Sequence, residues 1–566
     1  MKERWVKQYD AEVPAEVDVD QYESLIPYIE ESLQKYAERP AFMNLRHQLS
    51  YAEVDKQSKD FAAFLQQELG LKKGDRFAIM LPNLLQYVVA MFAAIRAGLI
   101  VVNVNPLYTT RELAHQLKDS GAKALLVLAN FAKVAQMALP QTEVSHVIVT
   151  QLGDALPFFK ASLLNFVVKR VKKMVPRWRI PGAYRYRAAL ARGAQQSFTP
   201  VRSSLEEIAF LQYTGGTTGL AKGAMLTHRN LLANSLQLRA WVDPMLNKDK
   251  AEVVVTPLPL YHIFSLTVSC LALLQEGPNN ILITNPRDVP TFVNELSRHR
   301  FSMMIGVNTL FNALLNDPNF AKIDFSAFRF GLSGGMALQR SVSERWKAVT
   351  GVNLIEGYGL TEASPVVSAP PMTTDHFTGS IGIPIPSTEC AVMNDDGEVP
   401  LGEEGELCVR GPQVMKGYWN RPEATDKMIT QGGWLHTGDI AREDKDGYFY
   451  LLDRMKNMIV VSGFNVYPNE VEEIVSQMPE VDEVAAIGMA DPKSGERVKL
   501  FVVKKGLEVT KEQIRTYCQA NLTHYKIPKV IEFRDELPKS NVGKVLHRQL
   551  RDAEAQAEQT PNGVPQ

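Results

Sequence analysis

The sequence has few cysteines. Only four occur in 566 residues, Cys270, Cys390, Cys408 and Cys518, far apart and with no C-x-x-C pair, which excludes a disulfide framework and argues against zinc. Charge of one sign is not in excess: 62 basic against 63 acidic residues leave a net charge of −1, so no global field invites nucleic acid. The opening stretch, MKERWVKQYDAEVPAEVDVDQ, is charged throughout and lacks the apolar centre of an export signal. The longest apolar segment, 84–102, approaches membrane-spanning length but contains Gln86, Arg96 and Gly98, and reads as a buried helix followed by a strand. These absences together predict a reduced, cytoplasmic setting.

A chain of this length needs more than one core. Short apolar runs at 77–81, 124–128, 253–255, 281–284 and 303–307 alternate with amphipathic stretches of helical length. That alternation predicts parallel sheets covered by helices, with ligands at the carboxyl ends of strands. After Asp453 the pattern changes to helix 471–478, strands 484–488 and 499–504, helix 511–522 and strand 530–533, a separate α+β unit. The polar end of the chain, from about residue 553, predicts a frayed tail.

The most informative stretch is Tyr213-Thr214-Gly215-Gly216-Thr217-Thr218-Gly219-Leu220-Ala221-Lys222-Gly223. Glycines let the backbone approach an anion, successive N–H groups and threonine hydroxyls donate to phosphate oxygens, and Lys222 adds a mobile cation. The P-loop spacing G-x-x-x-x-G-K-[ST] fails, because Lys222 follows Ala221 and precedes Gly223. Taken alone, the stretch reads either as a polyphosphate grip or as a plain turn.

One internal segment departs from the average. Residues 155–205 hold eleven Lys or Arg and no acid, interleaved with aromatic and aliphatic residues. Two readings stand beside each other, a peripheral contact with anionic membrane and a solvated segment packed by its own apolar residues. Nucleic acid finds no recognised binding module elsewhere in the chain.

Further motifs follow the Gly/Thr stretch in order: PLPLYHIF (257–264), LSGGMAL (332–338), EGYGLTEASP (356–365), GELCVRGPQVMKGYW (405–419), GGWLHTGDIA (432–441), DRMKNMIVVSGFNVYPNEVEE (453–473) and LPKSNVGK (537–544). As a set, running from about residue 50 to 550, they resemble the acyl-adenylate-forming (AMP-binding) superfamily. GGWLHTGDIAREDKDGYFYLLDR and NTLFNALL (308–315) look most like bacterial long-chain fatty acid–CoA ligases, the second resembling their acyl-pocket helix. The resemblance implies an α/β fold: a large N-terminal adenylation domain, 1–453, with two helix-covered sheets and a β-barrel-like subdomain. A small mobile α+β domain, 454–566, follows.

The same resemblance assigns roles. The Gly/Thr stretch from Tyr213 to Gly219, with Lys222, would hold the β- and γ-phosphates of ATP. Gly334 and Gly335 would line the adenine and the acyl entrance. In the EGYGLTE block Glu356 and Gly357 frame the nucleotide, Tyr358 stacks on adenine, Thr361 meets the α-phosphate and Glu362 holds Mg2+, a hard cation that prefers a carboxylate. Asp439 would accept from both ribose hydroxyls, and Arg454 would add a donor to the same sugar. His262 is placed near the substrate carboxylate as a positioning or gating group. Lys544 would bridge that carboxylate and the α-phosphate, Lys456 would be the hinge, and Gly463 would line the coenzyme A channel after a domain rotation. Asn308 stands where aryl-acid ligases commonly carry proline, and Ala221 where many members carry proline.

The implied reaction uses ATP, Mg2+ and coenzyme A to convert a long-chain fatty acid to its acyl-CoA through acyl-AMP. Medium-chain or aryl substrates, transfer of a fatty acyl-AMP to another acceptor, and a catalytically idle lipid-binding scaffold are the competing readings. A homodimer is left open.

Overall fold

The computed structural model describes residues 2–214, 221–247, 249–491, 493–506, 508–540 and 543–559. The alternating apolar runs become two large sheets. One has nine strands in the order Ile383–Pro384, Val366–Ala369, Leu354–Gly359, Phe330–Gly334, Met303–Gly306, Val253–Thr256, Asn279–Leu282, Pro40–Asn44 and His47–Ser50. The other has seven, running Tyr184–Arg185, His146–Thr150, Ala122–Leu128, Arg76–Met80, Ile100–Asn103, Ile208–Thr214 and Lys222–Thr227. Each has a parallel interior, and antiparallel pairs occur only at its edges.

Segment 84–102 is the buried helix Leu85–Arg96 and the strand Ile100–Asn103, as its interrupted apolar pattern predicts. Arg96 inside it is fully buried and is held by the Asp55 carboxylate and the Ser58 hydroxyl, so the cation is compensated within protein. Among the described residues no helix is long and apolar enough to cross a membrane.

The barrel-like unit is a five-stranded antiparallel sheet, Gly397–Glu398, Glu389–Asn394, Gly405–Arg410, Leu435–Glu443 and Phe449–Arg454. Beyond it a separate sheet of Phe464–Val466, Ile459–Val461, Gly495–Lys504 and Val481–Asp491, joined by Val530–Phe533, builds the small C-terminal unit around its own apolar core. The helices Pro468–Ser476 and Lys511–Asn521 fall where the sequence pattern puts them.

The expected fraying from 553 is not seen through residue 559. The helix His547–Gln559 continues through that point, because Glu554 reaches back to the buried ammonium of Lys499 at 2.6 Å. A polar composition concealed one buried ion pair.

Candidate active site

The register of two parallel strands assembles the floor of the cleft. Gly334 pairs with Gly357 and Ser333 with Glu356, so LSGG and EGYG end side by side at the carboxyl edge of the nine-stranded sheet. Gly334 has no room for a side chain, since a Cβ there would meet Phe264 at 2.9 Å and the Gly357 carbonyl at 3.1 Å. Gly335 follows at φ +76°, a left-handed conformation that glycine adopts without strain. Glu356 accepts from the Leu338 amide at 3.1 Å, and burial raises its carboxyl to about 8.

Asp439 and Arg454 come from different motifs yet are direct partners across the antiparallel pair Leu435–Glu443 and Phe449–Arg454. The guanidinium Nε lies 3.0 Å from Asp439 Oδ1, and the Tyr358 hydroxyl donates to Oδ2 at 2.6 Å. Asp439 Oδ1 is buried and, beyond its ion pair with Arg454, accepts no aligned hydrogen bond, which leaves a lone pair for a ligand hydroxyl. Tyr358, Asp439 and Arg454 line one cleft with Gly335, Glu356 and Lys544.

Lys544 enters that cleft from the C-terminal unit. Its loop is tied by the Ser540 amide to the Lys544 carbonyl at 2.7 Å and docks through the Thr309 hydroxyl, which donates to the Gly543 carbonyl at 3.1 Å. A Cβ on Gly543 would sit 2.6 Å from that same hydroxyl, so glycine permits the approach. Burial, and then the neighbouring Arg454 cation, lowers the Lys544 ammonium to about 8. His262 caps the short helix Ile263–Ser265, and burial followed by the Lys544 charge lowers it to about 4, so its imidazole is neutral at pH 7.

Behind the cleft runs an apolar cavity. His262, Gly335, Tyr358 and Thr361 stand at one side, and Trp241, Phe264, Met303, Ile305, Leu332 and Met372 supply apolar walls. Trp241 arrives on the helix His228–Val242, started by a capping box between Thr227 and Asn230. The segment 308–315, which resembles an acyl-pocket helix, does not line this cavity. On the helix Asn308–Asn316, Phe311 packs on Trp346, Thr309 and Asn312 meet the C-terminal unit, and Asn308 exchanges hydrogen bonds with Gln339. Asn308 itself is braced by Gln339 and lines the cleft that Lys544 enters.

The Gly/Thr stretch is described only at its flanks. Gly215, Gly216, Thr217, Thr218 and Gly219 lie outside the described residues. At the flanks Thr214 pairs with Lys222 across an antiparallel hairpin. The Tyr213 ring is buried and its hydroxyl donates to Asp119 at 2.7 Å, which commits that side chain to the hairpin's support. Lys222 extends over the Tyr418 ring, 5.0 Å from its centre, and the Tyr418 hydroxyl donates to Glu362 at 2.5 Å. Tyr418 thus joins two assigned groups, a role that sequence reasoning missed although the residue stood in a quoted motif. Its signal was the adjacency of an aromatic hydroxyl to a conspicuous Gly-Tyr-Trp turn, but the partner is 56 positions away.

Lys456 sits in the turn Met455–Asn457 between the five-stranded sheet and the C-terminal sheet. Gly463 is not brought into the cleft. It occupies an exposed hairpin tip at φ +84°, next to Phe464, which stacks on Tyr525 with centroids 4.8 Å apart.

Comparison with known proteins gives the family of the chain. The AMP-binding enzyme profile matches residues 29–419, and the AMP-binding enzyme C-terminal domain profile matches 470–544. A long-chain-fatty-acid–CoA ligase of Escherichia coli O6:H1 is 55% identical over 553 residues, 98% of each chain. A long-chain-fatty-acid–CoA ligase of Haemophilus influenzae is 49% identical, over 98% of this chain and 99% of its own. Among solved structures, an anthranilate CoA ligase in complex with anthranoyl-AMP aligns with a TM-score of 0.85 at 25% identity, covering 96% of this chain and all of that one.

Proposed function

The chain belongs to the AMP-binding enzyme family, and from that premise we infer that it is an AMP-forming long-chain fatty acid–CoA ligase. The fatty carboxylate oxygen attacks the α-phosphorus of ATP, the bond to the bridging β-phosphate oxygen breaks, and pyrophosphate leaves. The sulfur of coenzyme A, as thiolate, then attacks the acyl carbon, and AMP leaves with the anhydride oxygen.

The single observation that carries the reading is the joint position of Lys544 and Asp439 on one cleft, with an apolar cavity opening beside His262. Lys544 brings a point charge to the place where two anions must meet, which is where most of the barrier to adenylation lies. Asp439, oriented by Tyr358 and Arg454, takes the ribose hydroxyls with its free acceptor. His262 is neutral and needs to abstract nothing, because a carboxylate is already ionised at pH 7; its work is positioning. The apolar walls take the acyl chain, and burial of each methylene there contributes roughly 0.8 kcal/mol.

Glu362 suits Mg2+, since one carboxylate together with nucleotide phosphates is the ligand set this cation favours. Bound there, Mg2+ supplies neutralisation of the phosphate charge. Tyr418 fixes the carboxylate, and Thr361 at its side donates to the α-phosphate. The stretch from Tyr213 to Gly219, with Lys222, holds the phosphates that depart.

We place the domain boundary at about residue 454 and the hinge at Lys456. The arrangement with Lys544 in the cleft and Gly463 outside it suits adenylation; rotation about the hinge exchanges them and opens the pantetheine path. The enzyme works in the cytoplasm and touches the inner membrane through its basic segment, 155–205. ATP–pyrophosphate exchange dependent on fatty acid, with AMP release dependent on coenzyme A, tests the assignment. Absence of both with fatty acids of every length contradicts it.

A further inference from the structure

A helix on a folded protein ordinarily turns its apolar stripe inward. The helix Phe158–Phe166 and its continuation Val167–Val171 do the opposite. Ala161 and Val168 are buried, and Asn165 accepts from the Gly153 amide at 2.8 Å, so positions 161, 165 and 168 form the face that holds the helix to the body. Phe158, Phe159, Leu163 and Phe166 are left 68, 86, 67 and 60% exposed. Arg187 clamps the start of the segment by donating to the carbonyls of Asp154 and Leu156. On the inward side the buried Val168 borders a cavity of 580 Å³, with the exposed Met174 at its rim. The apolar face is therefore presented by a built part of the fold.

Charge follows immediately. Lys169, Arg170, Lys172 and Lys173 are exposed just beyond the aromatic face, and Lys160 stands within it. Among the described residues none of the five makes an ion pair, although most of the chain's surface carries both signs. A protein partner would need an apolar groove rimmed by acids, and nucleic acid would leave the phenylalanines in water. An anionic bilayer satisfies both halves at once, taking aromatic rings at the headgroup boundary and cations at the phosphates.

We propose that this outward face, Phe158–Phe166 with the cations at 169–173, is the element that docks the protein on an anionic lipid bilayer, its axis lying along the surface. The proposal rests on the peripheral-membrane reading of 155–205 and narrows it to one helix and one orientation. The remaining cations of the segment contribute to the field without touching lipid.

The test is flotation of the full-length protein with phosphatidylcholine vesicles, with or without phosphatidylglycerol. Three variants accompany it: Phe159→Ser with Leu163→Ser, Lys169→Glu with Lys172→Glu, and Phe159→Trp. Wild type should bind the anionic vesicles at least ~10-fold better than neutral ones, and each double variant should lose ~10-fold or more, since each interfacial cation is worth about a factor of five. Exchange activity with detergent-dispersed oleate should stay unchanged, and the indole emission of the Phe159→Trp variant should shift to the blue on adding anionic vesicles. Wild type that floats with neither lipid contradicts the membrane reading as a whole. Double variants that float like wild type, or an indole emission from the Phe159→Trp variant that does not move, overturn this face alone and leave the membrane contact elsewhere on the protein.

Discussion

The hydroxyl of Tyr358 donates to Asp439 at 2.6 Å, joining two motifs 81 positions apart on the wall of one cleft. Burial raises the Tyr358 hydroxyl well above its usual range, so it remains a donor at any working pH. Tyr358→Phe keeps the ring and removes only that donor. We expect the KM for ATP to rise about tenfold, the worth of one hydrogen bond to a charged acceptor, with little change in the fatty acid KM. Exchange kinetics with ATP varied decide it, and an unchanged KM would mean that Arg454 alone orients the carboxylate.

Tyr418 bears in the same manner on Glu362, the carboxylate proposed for Mg2+. Tyr418→Phe frees the Glu362 carboxylate from its 2.5 Å hydrogen bond while leaving the ring under Lys222. The Mg2+ concentration for half-maximal adenylation should rise, with kcat at saturating Mg2+ reduced by about tenfold or less. A variant with the wild-type Mg2+ dependence and lower kcat would assign Tyr418 to Lys222 instead.

These two pairs show what the sequence makes legible and what it hides. The nucleotide motifs declare residue types, and the strands and helices that carry them follow from apolar periodicity. Partnership does not follow. Asp439 and Arg454 meet because two strands of one sheet are in register, and Tyr418 meets Glu362 because the 415–419 segment lies alongside the Lys222–Thr227 strand, its Trp419 amide bonded to the Gly223 carbonyl at 2.8 Å. The helix at 308–316 is a further case, since its likeness to an acyl-pocket element says nothing of which face turns to the C-terminal unit.

The pH dependence of adenylation should report Lys544. Its ammonium is lowered to about 8, whereas a free lysine titrates near 10.4, so the working cation is lost sooner as pH rises. For kcat/KM, which reads the free enzyme, the rate should be level between pH 6 and about 8 and then fall about tenfold per unit. His262, lowered to about 4, adds no limb in that range, and Glu356, raised to about 8 in the same cleft, is told apart from Lys544 by Glu356→Gln, which should leave the break in place. ATP binding brings negative charge and should move the corresponding break in kcat to higher pH. A profile of kcat/KM still level at pH 10 would contradict this.

The C-terminal helix makes a stability prediction. Lys499 is buried and holds Glu532 and Glu554, each at 2.6 Å. Glu554→Gln should destabilise the small unit by about 1–2 kcal/mol, because a buried ammonium loses one of its two carboxylates. Amide exchange along Gly495–Lys504 should then quicken about tenfold. Unchanged exchange would mean that the end of the chain adds nothing, as its composition alone suggests.

The central claim is that Lys544, delivered by the C-terminal unit, serves the first half-reaction and leaves before the second. Lys544→Ala separates them. ATP–pyrophosphate exchange with oleate should fall by roughly 10³-fold or more, the scale of removing a principal charge stabiliser, while coenzyme A-dependent conversion of supplied oleoyl-AMP to oleoyl-CoA stays within about threefold of wild type. Equal loss in both half-reactions, or full retention of exchange, would contradict the account.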